Sequence, residues 1–171
     1  MNVCCLIHPN ILNDKLNRRT NDSSMYELKS LAISINLKIY ESNIIRVNKI
    51  NPGTFFGKGK IEEIKQNIIE KQIENCIIII NSNISPIQQR NLEKVWNVKV
   101  LDRTALILEI FGARAATKEG SLQVELAHIS WQKTRLVRSW THLERQRGGR
   151  GFLGGPGELQ IELDKRHITS R

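Results

Sequence analysis

The chain has 171 residues, enough for one full domain with its own core or a small domain with an appendage, and too few for two compact domains. Lysine and arginine number 26 against 17 acidic residues, and the net charge of +9 with a pI near 9.7 fits a nucleic-acid partner better than a basic substrate or a neutral small-molecule role. Charge alone leaves RNA, DNA and anionic membrane as classes of partner. No stretch approaches the apolar length of a membrane span, and the start MNVCCLIHPN lacks the basic segment and long apolar run of a signal peptide or anchor, so a cytoplasmic protein is expected. Cys4 and Cys5 are adjacent and Cys76 lies in the apolar run CIIII, a spacing that suits buried reduced thiols rather than zinc ligands or a disulfide framework. His8 near Cys4 reads as a strand-end residue rather than a metal ligand.

In chain order, Val3 to Ile7 reads as a buried strand stopped by His8-Pro9-Asn10. A polar connection, Asn13 to Ser24, leads to a helix capped by Ser23 or Ser24, with Met25, Leu28, Leu31, Ala32 and Ile35 at helical spacing. Leu37 to Val47 is rich in β-branched and aromatic residues and predicts a second strand, closed by Asn51-Pro52-Gly53. A glycine turn then opens a helix with Ile61, Ile64, Ile68 and Ile69 on one face, ended by Asn75. The uninterrupted CIIII reads as a strand covered on both faces, as in a parallel sheet. Ser85-Pro86 supplies the cap and first position of a helix through Gln88, Asn91, Leu92 and Val95, and Val98 to Leu101 is the last short strand. This alternation predicts an α/β layer over residues 1–102, a small parallel four-stranded sheet with flanking helices.

From Asp102 the pattern is helical only, and residues 103–171 are expected to form a helical subdomain. Leu106, Ile107, Ile110 and Phe111 mark one amphipathic helix after the Asp102-Arg103-Thr104 start. After Lys118-Glu119-Gly120, a heptad-like stripe runs through Leu122, Leu126, Ile129, Leu136, Trp140 and Leu143. A helix of that span is roughly 40 Å long, more than a sheet edge needs. It must project and needs an antiparallel partner, for which the segment after Pro156, with Leu159, Ile161, Leu163 and Ile168, is the candidate. The chain stops at Arg171, before that second, coiled-coil-like arm could match the first.

Between the two arms lies a glycine-rich tip. Gly148, Gly149, Gly151, Gly154, Gly155 and Gly157 free the backbone for close approach to a partner, while Arg145, Arg147 and Arg150 enter the loop and Lys165 and Arg166 leave it. Such a tip suits a polyanion such as folded RNA, recognised through shape and phosphate contacts. The alternative is a helix-to-helix connector with solvated charges. Catalytic patterns are wanting. A phosphate loop needs GxxxxGK followed by Ser or Thr, but Gly53 and Gly57 are one residue too close, and Lys58 is followed by Gly59. Asn48-Lys49-Ile50-Asn51 lacks the aspartate of a guanine-reading element, and no nucleophile–base or paired-carboxylate arrangement stands out. Gly57-Lys58-Gly59-Lys60 could hold a phosphate at a helix amino end, or be a plain turn. No metal site is expected.

Four motifs carry a resemblance. GKGKIEEI (57–64), SPIQQRNLEK (85–94), DRTALILEIFGARAATKEGSLQVELA (102–127) and RLVRSWTHLERQRGGRGFLGGPGE (135–158) occur in the order of the amino-terminal half of the HflX family of translational GTPases, which the chain resembles from about residue 25 onward. Leu159 stands where the family usually has threonine, Lys165 where a paired arginine is common, and Arg150 where an aliphatic or aromatic residue is more usual. The resemblance implies an α/β amino-terminal domain with a two-helix coiled coil, then a GTPase domain that this sequence lacks. It implies a large ribosomal subunit and rRNA as partners, with the tip at Gly148 to Gly157 reaching rRNA near the peptidyl transferase centre, in the splitting or rescue of stalled ribosomes. DNA is not expected as a partner. GTP and Mg2+ are implied only for the GTPase domain, and no cofactor for this chain. The competing readings are an ATP-binding α/β module using Lys58 and Lys60, and a nonfunctional truncated remnant.

Overall fold

A computed structural model of the chain describes residues 3–12, 20–71 and 76–146, with side chains in the last helix as far as residue 133 and at Arg135. The described elements are β1 (Val3–Ile11), α1 (Asn21–Ile33), β2 (Lys38–Val47), α2 (Lys58–Glu70), β3 (Ile77–Ile80), α3 (Pro86–Trp96), β4 (Lys99–Asp102), α4 (Arg103–Arg114) and α5 (Lys118–Gln146). The expected α/β class and four-stranded parallel sheet are present, in the order β2-β1-β3-β4. The chain divides into two compact units, Met1–Ala115 and Ala116–Arg171.

In the first unit, α2 and α3 cover one face of the sheet. Ile7, Ile45, Val47, Ile78, Ile80 and Val100 point into a core with Phe56, Ile61, Ile68, Leu92 and Trp96. The Trp96 indole donates to the Ile61 carbonyl at 3.0 Å, joining the two helices through a buried bond. On the opposite face, period-2 alternation sends Cys4, Leu6, Ile79 and Leu101 toward α1 and α4, whose Met25, Leu28, Ala32, Leu106 and Ile110 are buried. β3 is therefore covered on both sides, which is why four consecutive isoleucines suit it.

Several boundaries differ from the sequence reading. β1 does not stop at Ile7 but runs through His8-Pro9-Asn10 to Ile11. The reason lies in the ladder. Ile7 faces β3, its carbonyl accepting from the Asn81 amide at 2.8 Å, and β3 ends at Ile80, the partner of Ile7. Pro9, two residues on, has its missing N–H on a side where no strand remains to receive it, while β2 continues on the other side to Val47. α1 is capped by Thr20 rather than Ser23 or Ser24; the Thr20 hydroxyl accepts from the Ser23 amide. α2 has Glu70 as its last residue, with Lys71 at the cap. Its buried face is Ile61 and Ile68, with Ile64 partly buried, while Ile69 is exposed. Phe111 of α4 is exposed, beside buried Leu106 and Ile110.

In the second unit, Thr117 caps α5, its hydroxyl accepting from the Gly120 amide at 3.0 Å. A Cβ at Gly120 would stand 3.0 Å from that hydroxyl, so the glycine in TKEGS keeps the cap close. At 29 residues α5 is roughly 44 Å long. Leu122 and Leu126 of its stripe are exposed among the described residues. The expected second arm, after Pro156, lies outside them.

Candidate functional site

Every helix that follows a strand begins at the carboxyl edge of the sheet, and two clusters of polar residues form there. The first surrounds the Gly57-Lys58-Gly59-Lys60 junction. After β2, Asn51 and Phe55 exchange backbone hydrogen bonds at 3.0 and 2.8 Å, while the Asn51 side chain accepts from the Gly53 amide. Phe55 takes φ 64°, a left-handed conformation costly for a side chain of its size, and its buried ring packs edge-on against Phe56 at 5.1 Å. From α3, Gln88 donates to the Asn51 carbonyl and Asn91 to the Gly53 carbonyl, both at 2.8 Å. This bolted turn fixes where α2 begins.

The α2 amino end is open. Its cap, Gly57, offers no side-chain acceptor, and a Cβ built at Gly57 or Gly59 meets nothing within 4 Å. Lys58 is exposed, but Lys60 turns to Glu63 at 2.6 Å. The Lys60 amide is bonded to the Gly57 carbonyl at 3.1 Å, so of the four sequence-selected residues Lys58 and Gly59 present the amide donors of the first turn, with the Lys58 ammonium uncommitted among the described residues.

The second cluster, missed in the sequence, lies between β1 and β3, where the order β2-β1-β3-β4 reverses direction. His8 is buried in β1, one residue past its last pair with β3, and the Asn81 side-chain amide approaches its Nδ1 at 3.2 Å. With Asn81 donating, the ring proton sits on Nε2, which has no hydrogen-bond partner among the described residues. Burial pushes the His8 pKa below its ordinary value and the Arg103 charge adds to this, against the opposing influence of the Asn21 side chain. Arg103 spans the helices, donating to Asn81 at 2.7 Å and to Glu27 of α1 at 2.6 Å. Asp102 caps α4 through the Ala105 amide at 2.9 Å. Since cation, carboxylate and amides are mutually engaged, the cluster's evident role is to tie α1, α4 and β3 together. Its sequence signals were the asparagines in Asn81-Ser82-Asn83 directly after an apolar run and the charged pair Asp102-Arg103 at the next strand end.

Elsewhere, the three cysteines are free. Cys4 is buried, and burial pushes its thiol up to about 11. The side-chain interaction between Cys5 and Cys76 raises the Cys5 pKa and lowers that of Cys76. Among the described residues no group of three His, Cys, Asp or Glu side chains could hold a metal ion, and no helix is long and apolar enough to cross a membrane. On α5, Arg135 stacks over Trp131 at 4.5 Å, and the His128 ring lies 6.0 Å from the same indole. Arg145 falls within α5, while Arg147, Gly148, Gly149, Arg150, Gly151, Gly154, Gly155, Gly157, Lys165 and Arg166 lie outside the described residues.

Comparison with known proteins sets these features in a family. The profile described as GTP-binding GTPase N-terminal matches residues 22–112, and that described as GTP-binding GTPase Middle Region matches residues 114–171. The chain is 50% identical over 160 residues to the GTPase HflX of Magnetococcus marinus, covering 94% of this chain and 37% of that protein. The chain belongs to the HflX family of GTPases. The GTPase HflX of Escherichia coli is 50% identical over 121 residues, 71% of this chain and 28% of that protein. The chain thus spans about a third of the length of these HflX relatives and corresponds to their N-terminal part. Among solved structures, the SsGBP–GDP complex aligns with 99% of the chain at TM-score 0.65 and 21% identity, over 42% of that protein. A GTP-binding protein from Sulfolobus solfataricus in complex with GDP aligns at 0.61 and 20% identity, over 99% of this chain and 45% of that one. At such identities the likeness is one of fold. The HflX-like motif SPIQQRNLEK supplies the residues that bolt down the turn before α2, and the motif from Asp102 to Ala127 supplies the caps of α4 and α5.

Proposed function

We propose that this chain is the ribosome-binding portion of an HflX-type GTPase, acting in the cytoplasm on the large ribosomal subunit in ribosome splitting or rescue. The observation that carries the reading is the match to the family's middle region over residues 114–171, which contains the whole cationic, glycine-rich segment. In this reading α5 leads into the RNA-binding segment. Arg145, Arg147 and Arg150 neutralise rRNA phosphates, with Lys165 and Arg166 behind them, and the glycines from Gly148 to Gly157 let the backbone approach the RNA surface. GTP and Mg2+ belong to the portion of HflX relatives that this chain does not span, so the chain by itself does not hydrolyse GTP. The test is sedimentation of the purified chain with isolated large and small subunits. Saturable pelleting with large subunits alone is the expected result, and equal pelleting with both or with neither removes the reading.

One observation favours a second reading. The open amino end of α2 beside exposed Lys58 could take a nucleotide phosphate, making the α/β unit an ATP-binding module. Calorimetric titration with ATP decides this: heat that saturates in the parent and vanishes in Lys58→Ala with Lys60→Ala would support it.

A further inference from the structure

An open sheet ends in two edge strands, each with a row of peptide groups that a further strand could pair with. Here they are β2 and β4. β2 carries a bulge, since Cys4 pairs with Ile39 but Cys5 with Glu41, and a bulge spoils an edge for further pairing. β4 has no such device in its own backbone: its register with β3 is unbroken from Lys99 to Asp102, and the strand contains no proline. Along a strand of a parallel ladder, successive residues turn their N–H and C=O to one side and then the other. Val100 is turned outward, as its bonds to α3 show, and Lys99 and Leu101 are turned to β3. Two residues on from Val100, Asp102 is already the cap of α4.

Both outward groups of Val100 are taken, and by side chains. Its amide donates to Glu93 Oε1 at 3.1 Å, and its carbonyl accepts from Gln89 Nε2 at 2.8 Å. Gln89 and Glu93 stand one turn apart on α3 and are bonded to each other, Nε2 to Oε1 at 3.4 Å. The three bonds close a ring in which one acceptor and one donor stand opposite a single residue. An antiparallel strand would offer the same acceptor and donor from one residue of its own backbone. Both side chains are half-buried, so they lie against the strand rather than spreading into solvent.

We propose that Gln89 and Glu93 form a plug that closes the β4 edge against strand addition by a second copy of this chain. The excluded pairing follows from symmetry. About a two-fold axis at Val100, two β4 strands would run antiparallel, with the two Val100 residues exchanging both N–H···O=C bonds. In that register Lys99 lies opposite Leu101 of the other copy. The one exposed residue of the strand, a lysine, therefore meets no like charge and does not guard the edge by itself. The inference stands apart from the ribosomal reading.

The test compares the full chain with a variant carrying Gln89→Ala and Glu93→Ala, alanine being chosen because it keeps α3 helical and adds no large apolar patch. Sedimentation velocity over a wide concentration series should show the variant's average mass rising toward twice the chain mass, beyond any rise in the parent. Hydrogen exchange should find the Val100 amide about 10-fold less protected in the dilute variant than in the parent, as for the loss of one hydrogen bond, with protection returning as concentration rises. Glu93→Gln keeps an oxygen for the Val100 amide and should behave as the parent. Gln89→Ala alone is a milder change that should associate less than the pair and more than the parent, and it carries the test if the pair does not fold. Lower melting with no association beyond the parent's would leave the two residues a tie between α3 and β4 and overturn the proposal. So would association that leaves the Val100 amide unprotected, or a parent whose Val100 amide exchanges as fast as the variant's.

Discussion

Gln88 offers the sharpest test of how the turn before α2 is held. Its Oε1 accepts from the Ser85 amide at 2.8 Å, its Nε2 donates to the Asn51 carbonyl at 2.8 Å, and the side chain is buried. Gln88→Ala removes both bonds and leaves a buried carbonyl less well satisfied. At about 0.5–1.5 kcal/mol net for each neutral bond, plus part of the desolvation of the orphaned groups, the loss is about 2–3 kcal/mol. Ser85→Ala removes only the other half of the capping box, the hydroxyl that accepts from the Gln88 amide, and should cost about 1 kcal/mol. For a unit near 115 residues this corresponds to melting points lowered by roughly 10 °C and roughly 4 °C. The double variant should fall short of the sum by about 0.5 kcal/mol or more, since the two residues share one box. Urea and thermal unfolding followed by circular dichroism give all three numbers. A Gln88→Ala variant no less stable than Ser85→Ala would show that the tie to Asn51 contributes nothing, and that α3 does not fix the start of α2.

Three further outcomes are expected. His8 is held neutral by burial, so its folded pKa lies below the ordinary 6.5; its contribution is complete above that value and is lost as pH falls toward the folded one. Chemical denaturation at pH 7.5 and 5.5 should therefore show the parent losing more stability than His8→Gln, and equal losses would contradict the assignment. Phe55→Gly should be more stable than Phe55→Ala by about 1 kcal/mol, reversing the usual order, because the φ of 64° suits glycine alone of the two. Both should lie below the parent, and an alanine variant equal to the glycine one would mean the turn relaxes on losing the ring. The purified chain should show no GTP hydrolysis above background, whereas saturable hydrolysis abolished by Lys58→Ala would refute the assignment of that chemistry to a region outside this chain.

What could be read in the sequence was whatever one segment decides for itself. The Ser85-Pro86 start of α3 is a local event, a serine cap with proline at the first position, and it forms as read, with Gln88 completing a capping box. The isoleucines of β3 demand cover on both faces wherever they go. The length of β1 was not local: Pro9 is tolerated because β3 ends opposite Ile7, a fact of pairing between distant segments. The His8, Asn81, Arg103 and Glu27 network escaped for the same reason, since its members come from four separate stretches that only the parallel order brings together. The family motifs were legible as strings before their work was. Gln88, Gln89 and Asn91 in SPIQQRNLEK prove to be structural ties, donating to Asn51, Val100 and Gly53.

The central claim, that the glycine-rich segment is an RNA-binding tip, is tested most directly by a salt series of binding to large ribosomal subunits. The parent is compared with the combined Arg145→Ala, Arg147→Ala and Arg150→Ala variant, and with Gly154→Val plus Gly155→Val. Affinity of the parent should fall steeply with salt, and the arginine variant should flatten the slope by about one unit for each phosphate no longer neutralised. The double valine variant should bind more weakly at every salt concentration with the parent's slope, because it blocks backbone approach without removing charge. If both variants bind as tightly as the parent across the whole series, the segment is a connector between helices and the ribosome-binding role does not reside there.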